Sequence, residues 1–150
     1  MEVDFSCNLK IGVGMLIVTS LIASILTMVL IKLSFAVIGL RRKNQVALGS
    51  GGQEELERAI RAQGNFAEYV PFGLILIATL ELNGAPWWLV AAPGISLIIG
   101  RLIHAKGIQV PPPDFSQRVL GMKWTFFTLI ALIVLNMGWS TFKLFGMPWI

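Results

Sequence analysis

Thiols, imidazoles and charge are all scarce in this sequence, and each scarcity removes a class of function. The single cysteine, Cys7, can form no internal disulfide and has no partner for a metal site, so it reads as an unreactive thiol. One histidine, His104, cannot complete a hydrolytic triad or a metal cluster, and no pair of carboxylates is spaced for hydrolysis. Only 13% of the residues are charged and 55% are hydrophobic, gathered in blocks. A soluble domain carries about a quarter charged residues. No small-residue cleavage site follows the first apolar run, and Glu2 and Asp4 precede it, so that run reads as a span and not a cleaved leader. There is no internal repeat and no low-complexity tract. Gly49-Ser50-Gly51-Gly52 fits neither dinucleotide nor P-loop spacing, which leaves a flexible hinge. The net charge of +4 does not indicate a nucleic-acid partner, because the cations collect at loops where membrane topology accounts for them.

What is present is one all-α domain, an integral membrane bundle of four helices expected at about 11–40, 53–82, 86–105 and 116–143. The uncharged run from Ile11 to Ile31 is long enough to span. Lys32 interrupts it, but Leu33, Phe35, Val37, Ile38 and Leu40 continue the pattern. One long helix is expected there, projecting past the bilayer with Lys32 snorkelling, and ending at Arg41-Arg42-Lys43. Ser50 and Gln53 have capping-box spacing before the second helix, and Glu54, Glu55 and Glu57 suit its positive end. Pro71 predicts a kink inside that helix. Asn83-Gly84-Ala85-Pro86 predicts a tight turn, with Trp87 and Trp88 at an outer interface. Ala92, Ser96 and Gly100 form a small-residue stripe suited to close helix approach. Pro111-Pro112-Pro113 must be non-helical, and Asp114 or Ser116 can cap the fourth helix, whose far end is marked by Trp139 and Trp149. Nine of the twelve cations (Arg41, Arg42, Lys43, Arg58, Arg61, Arg101, Lys106, Arg118 and Lys123) fall on one side of this topology. The positive-inside rule assigns that side to the cytoplasm and both termini to the periplasm.

One polar stripe stands out. Arg58, Arg61, Asn65, Glu68 and Tyr69 follow i, i+3, i+7, i+10 and i+11, a single face of the second helix. Polar and ionisable groups at membrane depth are costly unless they meet partners or a water-filled cleft, so the stripe is a candidate site. A structural reading stands beside it. Glu54 precedes Arg58 by four residues and Glu57 precedes Arg61 by four, the favourable order for ion pairs within a helix. Asn65 and Glu68 could likewise join helices. Arg41 and Arg42, Arg58 and Arg61, and Arg101 and Arg118 bring guanidiniums from three segments to one depth. Guanidiniums grip carboxylates in two-point contacts. A small anion bearing carboxylates, with a lipid-soluble second ligand, suits a cleft with a cationic mouth and apolar walls.

The stretch from Glu57 to Pro71, ERAIRAQGNFAEYVP, resembles the second-helix motif of the MAPEG superfamily, the membrane-associated proteins in eicosanoid and glutathione metabolism. Gly100-Arg101-Leu102-Ile103-His104-Ala105 is similar to the third-helix end of bacterial members, and the resemblance covers essentially the whole chain. It implies a homotrimer in a bacterial inner membrane, with glutathione as co-substrate at subunit interfaces facing the cytoplasm, no metal, and a hydrophobic second substrate or lipid. By motif position it implies that Arg61, Asn65, Glu68 and Tyr69 contact glutathione, with Glu68 taking its amino group. Arg41 or Arg42 matches a basic position after the first helix, and Arg101 keeps a family arginine. Arg58 and His104 complete the expected binding set. Arg118 is the candidate for stabilising the thiolate, aided by its place in the first turn of its helix. The implied activity is that of a microsomal-type glutathione transferase or peroxidase, a detoxification enzyme attacking hydrophobic electrophiles. His104 and Ile108 stand where catalytic eukaryotic relatives carry tyrosines. A non-catalytic lipid-binding or partner-binding protein on the same scaffold is therefore the alternative. A transporter is a third reading, which would need polar residues across the full membrane depth.

Overall fold

A computed structural model describes residues 15–109 and 114–146 and contains α1 (Ile17–Asn44), α2 (Glu54–Leu82), α3 (Trp87–Gln109) and α4 (Phe115–Gly146). Each of the four is long and apolar enough to cross a membrane. Cys7, the expected helix start at Ile11, the proline triplet and Trp149 lie outside the described residues. The 28 residues of α1 extend about 42 Å at 1.5 Å per residue, more than the roughly 30 Å of a bilayer's hydrocarbon.

The helices follow from where the apolar residues recur. On α2 the buried residues are Leu56, Ala59, Ala62, Phe66, Val70, Gly73, Ile77 and Leu80, spaced by three or four, which is one stripe of a helix. From Ala62 onward its apolar side chains pack with Ile22, Leu26 and Leu33 of α1, Val90 and Leu97 of α3, and Leu132 of α4 in the main core, while Leu56 and Ala59 pack with Val37 of α1 in a second cluster. The opposite faces stay apolar: Leu21, Met28 and Phe35 on α1 and Phe127, Val134 and Met137 on α4 are all exposed. Outward apolar faces of this extent suit lipid, not water. α2 and α3 each touch all the other helices, whereas α1 and α4 make no contact among the described residues. The bundle is thus a diamond with α2 and α3 on its short diagonal.

Helix ends differ from the sequence expectation: α1 begins at Ile17, with residues 15 and 16 outside it, and not near Ile11, and α4 runs past Lys143 to Gly146. α1 continues past Leu40 to Asn44, because Arg41, Arg42 and Lys43 sit at the negative end of its dipole and favour that last turn. Gln45 then takes a left-handed conformation (φ 56°), with Val46 N–H donating to Arg41 O and Gln45 N–H to Arg42 O. The Ser50–Gln53 capping box does not form. Gln53 is the N-cap without a side-chain bond, and its N–H donates to Ser50 O in the preceding turn. α3 runs four residues beyond Ala105 to Gln109, held against α4 through Gly107, where a Cβ would lie 2.7 Å from Arg118 N. Asp114, not Ser116, caps α4, its carboxylate accepting from Gln117 N–H at 3.0 Å. α2 remains one helix through Pro71, and α3 also carries an internal proline, Pro93. The α2–α3 turn closes with Ala85 N–H to Leu80 O and Gly84 N–H to Glu81 O, Gly84 supplying the positive φ of 76°.

Candidate functional site

The end of the bundle that carries Arg61, Arg101 and Arg118 is the basic end; the other, marked by Trp87, Trp88 and Trp139, is the Trp end. At the basic end α2, α3 and α4 enclose an open cleft of about 650 Å³. It is lined by Glu57, Ile60, Arg61, Gly64, Asn65 and Glu68 from α2, His104 and Ile108 from α3, and Arg118 and Met122 from α4. The α2 contribution repeats every three or four residues, one face of that helix. Gly64 faces the open space of the cleft, where a Cβ would meet nothing within 4 Å.

Arg118 reaches the cleft because α4 lies against α3 at two glycines. A Cβ on Gly121 would sit 2.7 Å from the Cα of His104, and Gly107 is pressed on Arg118 in the same way. Between them the His104 Nδ1 stands 2.9 Å from the Arg118 carbonyl oxygen. A carbonyl only accepts, so Nδ1 carries the proton and the neutral ring keeps its lone pair on Nε2. The Arg118 guanidinium lies 5.8 Å from the Phe115 ring centre, and its Nε is buried without a partner.

Among the described residues Arg101 is the largest fully buried side chain, 1% exposed, and it stands behind the cleft wall. Its Nη2 donates to Asn65 Oδ1 at 2.9 Å and meets Met122 Sδ at 3.9 Å. The guanidinium lies 5.6 Å from the centre of the Tyr69 ring, which meets Phe126 edge-on at 5.4 Å. Arg101 Nε and Nη1 have no partner, and no carboxylate pairs with this cation among the described residues. An unpaired guanidinium in so enclosed a place is energetically costly.

The rim carries the ion pairs that the i, i+4 spacing predicts. Arg61 Nε lies 3.1 Å from Glu57 Oε1 and Arg58 Nη1 3.3 Å from Glu54 Oε2. Arg61 is exposed and borders the cleft. Arg58 instead borders a shallow depression with Ser50, Gly52 and Gln53. Arg41 turns back on its own loop, donating to Ala47 O at 3.1 Å and Gly49 O at 3.0 Å, and Arg42 is exposed. One chain therefore brings together Arg61, Asn65, Glu68, His104 and Arg118, with Arg101 and Tyr69 behind Asn65. It does not bring Arg41, Arg42 or Arg58 into that cleft. Glu57, expected only as the ion-pair partner of Arg61, also lines the cleft, as do Ile60, Gly64, Ile108 and Met122, none of them among the expected site residues. Met122 was within reach of sequence reading, lying four residues after Arg118 and so on the same face of α4.

Chemically the cleft offers two guanidiniums, the Glu68 carboxylate, which has no ion pair among the described residues, an amide, an imidazole acceptor and apolar walls in Ile60, Ile108 and Met122. The sequence profile of the MAPEG family matches residues 19–138, a range that includes every cleft residue. The chain is 38% identical over 132 residues to the inner membrane protein YecN of Escherichia coli strain K12, covering 88% of this chain and 94% of that protein. YecN of Escherichia coli O6:H1 strain CFT073 matches to the same extent.

Proposed function

This chain belongs to the MAPEG family, and on that premise we propose that its cleft binds glutathione and activates the thiol for attack on an electrophile or peroxide dissolved in the bilayer. Glutathione carries two carboxylates, an amine and a thiol. Arg61 and Arg118 suit the anionic groups, Glu68 the amine, and Asn65 an amide of the peptide. The observation that carries the reading is the buried, unpartnered Nε of Arg118 at a cleft that also carries the Glu68 carboxylate, with the partly satisfied Arg101 guanidinium behind Asn65 in its wall.

Thiolate is the nucleophile, and a thiol near pKa 8.5 is mostly protonated at neutral pH. A fixed guanidinium in the first turn of α4 favours the thiolate through its own charge and through the helix dipole. The His104 Nε2 lone pair is suited to take the departing proton. The thiolate sulfur then attacks the electrophilic atom of the second substrate, which enters past the apolar walls. Support for a homotrimer comes from the cleft's open side and from Arg42 and Arg58, which face away from their own cleft and suit a neighbour's. The mass of the detergent-solubilised assembly tests this. The inner membrane is the location that fits four apolar helices and the relative's name. The cation count favours a cytoplasmic cleft and periplasmic termini, which reporter fusions at both termini test.

Calorimetric titration with glutathione tests binding. Arg118→Ala should abolish the ultraviolet thiolate absorbance of bound glutathione while the titration still shows binding. A wild-type protein with no such absorbance and no turnover removes the catalytic reading. Ile108 and Met122 in the cleft wall favour a second reading, a lipid or partner held without catalysis. Native mass spectrometry showing lipid retained and glutathione ignored would support that one.

A further inference from the structure

Lys32 is unexplained by the cleft. It interrupts the apolar run of α1 fifteen residues after Ile17, about 22 Å along the axis, short of the roughly 30 Å needed to cross the hydrocarbon. A cation at that depth needs a partner or a route to the interface. Its neighbour across the helix pair is Lys106, three residues before the end of α3. Both lysines are exposed and both line one groove of about 400 Å³ between α1 and α3. Most of the remaining wall is apolar, with Val29, Leu33, Leu102 and Ala105. This groove lies on the side of the diamond opposite the α2–α4 side where the cleft opens.

We propose that the groove between α1 and α3 is a binding site for one anionic phospholipid, its phosphate held between the Lys32 and Lys106 ammonium groups and its acyl chains along Val29, Leu33 and Leu102. Three observations carry it. Two cations meet in one groove with no anion opposite, for neither forms an ion pair among the described residues. Lys43, in the adjoining depression, is matched by Glu55 at 3.7 Å, so the imbalance is specific to the Lys32–Lys106 level. The depth also fits. Lys106 lies 19 residues after Trp87, about 28 Å along α3 and so close to the roughly 30 Å over which a helix crosses the hydrocarbon, and the four-carbon stem of Lys32 lets its head reach a phosphate at that level from deeper in the bilayer. The apolar walls select a lipid over a free phosphate, which would gain nothing from them.

The test is native mass spectrometry of the detergent-purified protein with equal amounts of phosphatidylglycerol and phosphatidylcholine of identical chains. A lysine at an anionic surface contributes roughly fivefold in affinity, so the pair should give wild type about a thirtyfold preference for the anionic lipid. The Lys32→Gln/Lys106→Gln variant should fall to near parity. Lys32→Arg/Lys106→Arg and Lys43→Gln should both keep the preference, the former showing that a folded protein with the charges in place suffices. Parity in wild type, an undiminished preference in the double glutamine variant, or displacement of the lipid by millimolar inorganic phosphate would each overturn the proposal. None of these outcomes depends on glutathione binding.

Discussion

The Trp end and the basic end of this bundle both hold polar side chains among apolar ones, but they treat them in opposite ways. At the Trp end the polar groups that lie between helices are fastened across them. The Glu81 carboxylate accepts from Val18 N–H at 2.9 Å, Thr19 N–H at 2.8 Å and the Thr19 hydroxyl at 2.6 Å, closing the first turn of α1 from α2. Asn136 of α4 donates to Leu76 O of α2, and Trp139 Nε1 donates to Asn83 O. Midway along the bundle Ser96 of α3 bonds Thr128 and Trp124 of α4. At the basic end four buried guanidinium nitrogens, Arg58 Nε, Arg101 Nε and Nη1, and Arg118 Nε, go without partners, and among the described residues no other buried side-chain polar atom does. In a solvent that offers no hydrogen bonds, satisfied polar groups join helices, and unsatisfied ones mark where something else must enter.

Substituting one member of each set tests whether the division is real. The largest effect is expected for Arg101→Met. Glutathione affinity should fall about 100-fold, because Asn65 loses its anchor and the cation behind the cleft wall is gone; that is about 2.7 kcal/mol. Thermal stability should hold or rise, since replacing a poorly paired buried ion by an apolar side chain of similar length is often neutral or stabilising. Calorimetric titration and thermal unfolding followed by tryptophan fluorescence read the two quantities separately. A lowered melting temperature with unchanged affinity would move Arg101 into the fastening class and break the comparison. Glu81→Ala should do the reverse. It removes a charged acceptor from two backbone donors and a hydroxyl in the first turn of α1, a loss of about 2–3 kcal/mol in stability, while glutathione affinity stays as in wild type. An affinity loss there would mean that the two ends are coupled.

How much of this was open to sequence reading depended on whether a relation lay within one helix. Arg61, Asn65 and Glu68 share a face of α2, and the 3.6 period alone aligns them. The rim pairs Arg58–Glu54 and Arg61–Glu57 follow from i, i+4 spacing in the same way. Arg101 and Asn65 are 36 residues apart, and Glu81 and Val18 are 63 apart. Periodicity says nothing about which faces of two helices meet. Position alone groups Arg41 with the other arginines at its depth, and nothing local shows that the left-handed Gln45 folds the loop back so that the Arg41 guanidinium meets Ala47 O and Gly49 O. The same gap affects the distribution of polarity. Sequence reading placed polar groups at one end only, whereas Glu81, Asn136, Ser96 and Thr128 extend them along the bundle. They do so as bonded pairs, which join helices and do not line a water-filled path.

The smallest effect, and the sharpest test of the fastening class, is expected at Asn136. Counting bonds suggests a large loss on Asn136→Leu, because its amide donates to Leu76 O and Leu132 O and stands 2.8 Å from the Thr79 hydroxyl. Two facts shrink it. Leu76 O and Leu132 O are helical carbonyls already engaged with their own helices, so they are not stranded when the amide leaves. The Thr79 hydroxyl, which has a single hydrogen, also lies 3.0 Å from Leu76 O, so it falls back on that carbonyl when Asn136 is gone. Interhelical bonds of this kind in membrane proteins average about 0.6 kcal/mol. A double-mutant cycle with Thr79→Val and Asn136→Leu, read by thermal unfolding, should therefore give a coupling below about 1 kcal/mol with glutathione affinity untouched. A coupling several times larger would mean that the Thr79–Asn136 contact holds the bundle as firmly as the Glu81 cap. The Trp end would then owe its stability to side-chain bonds more than to the packing of α2 against its neighbours.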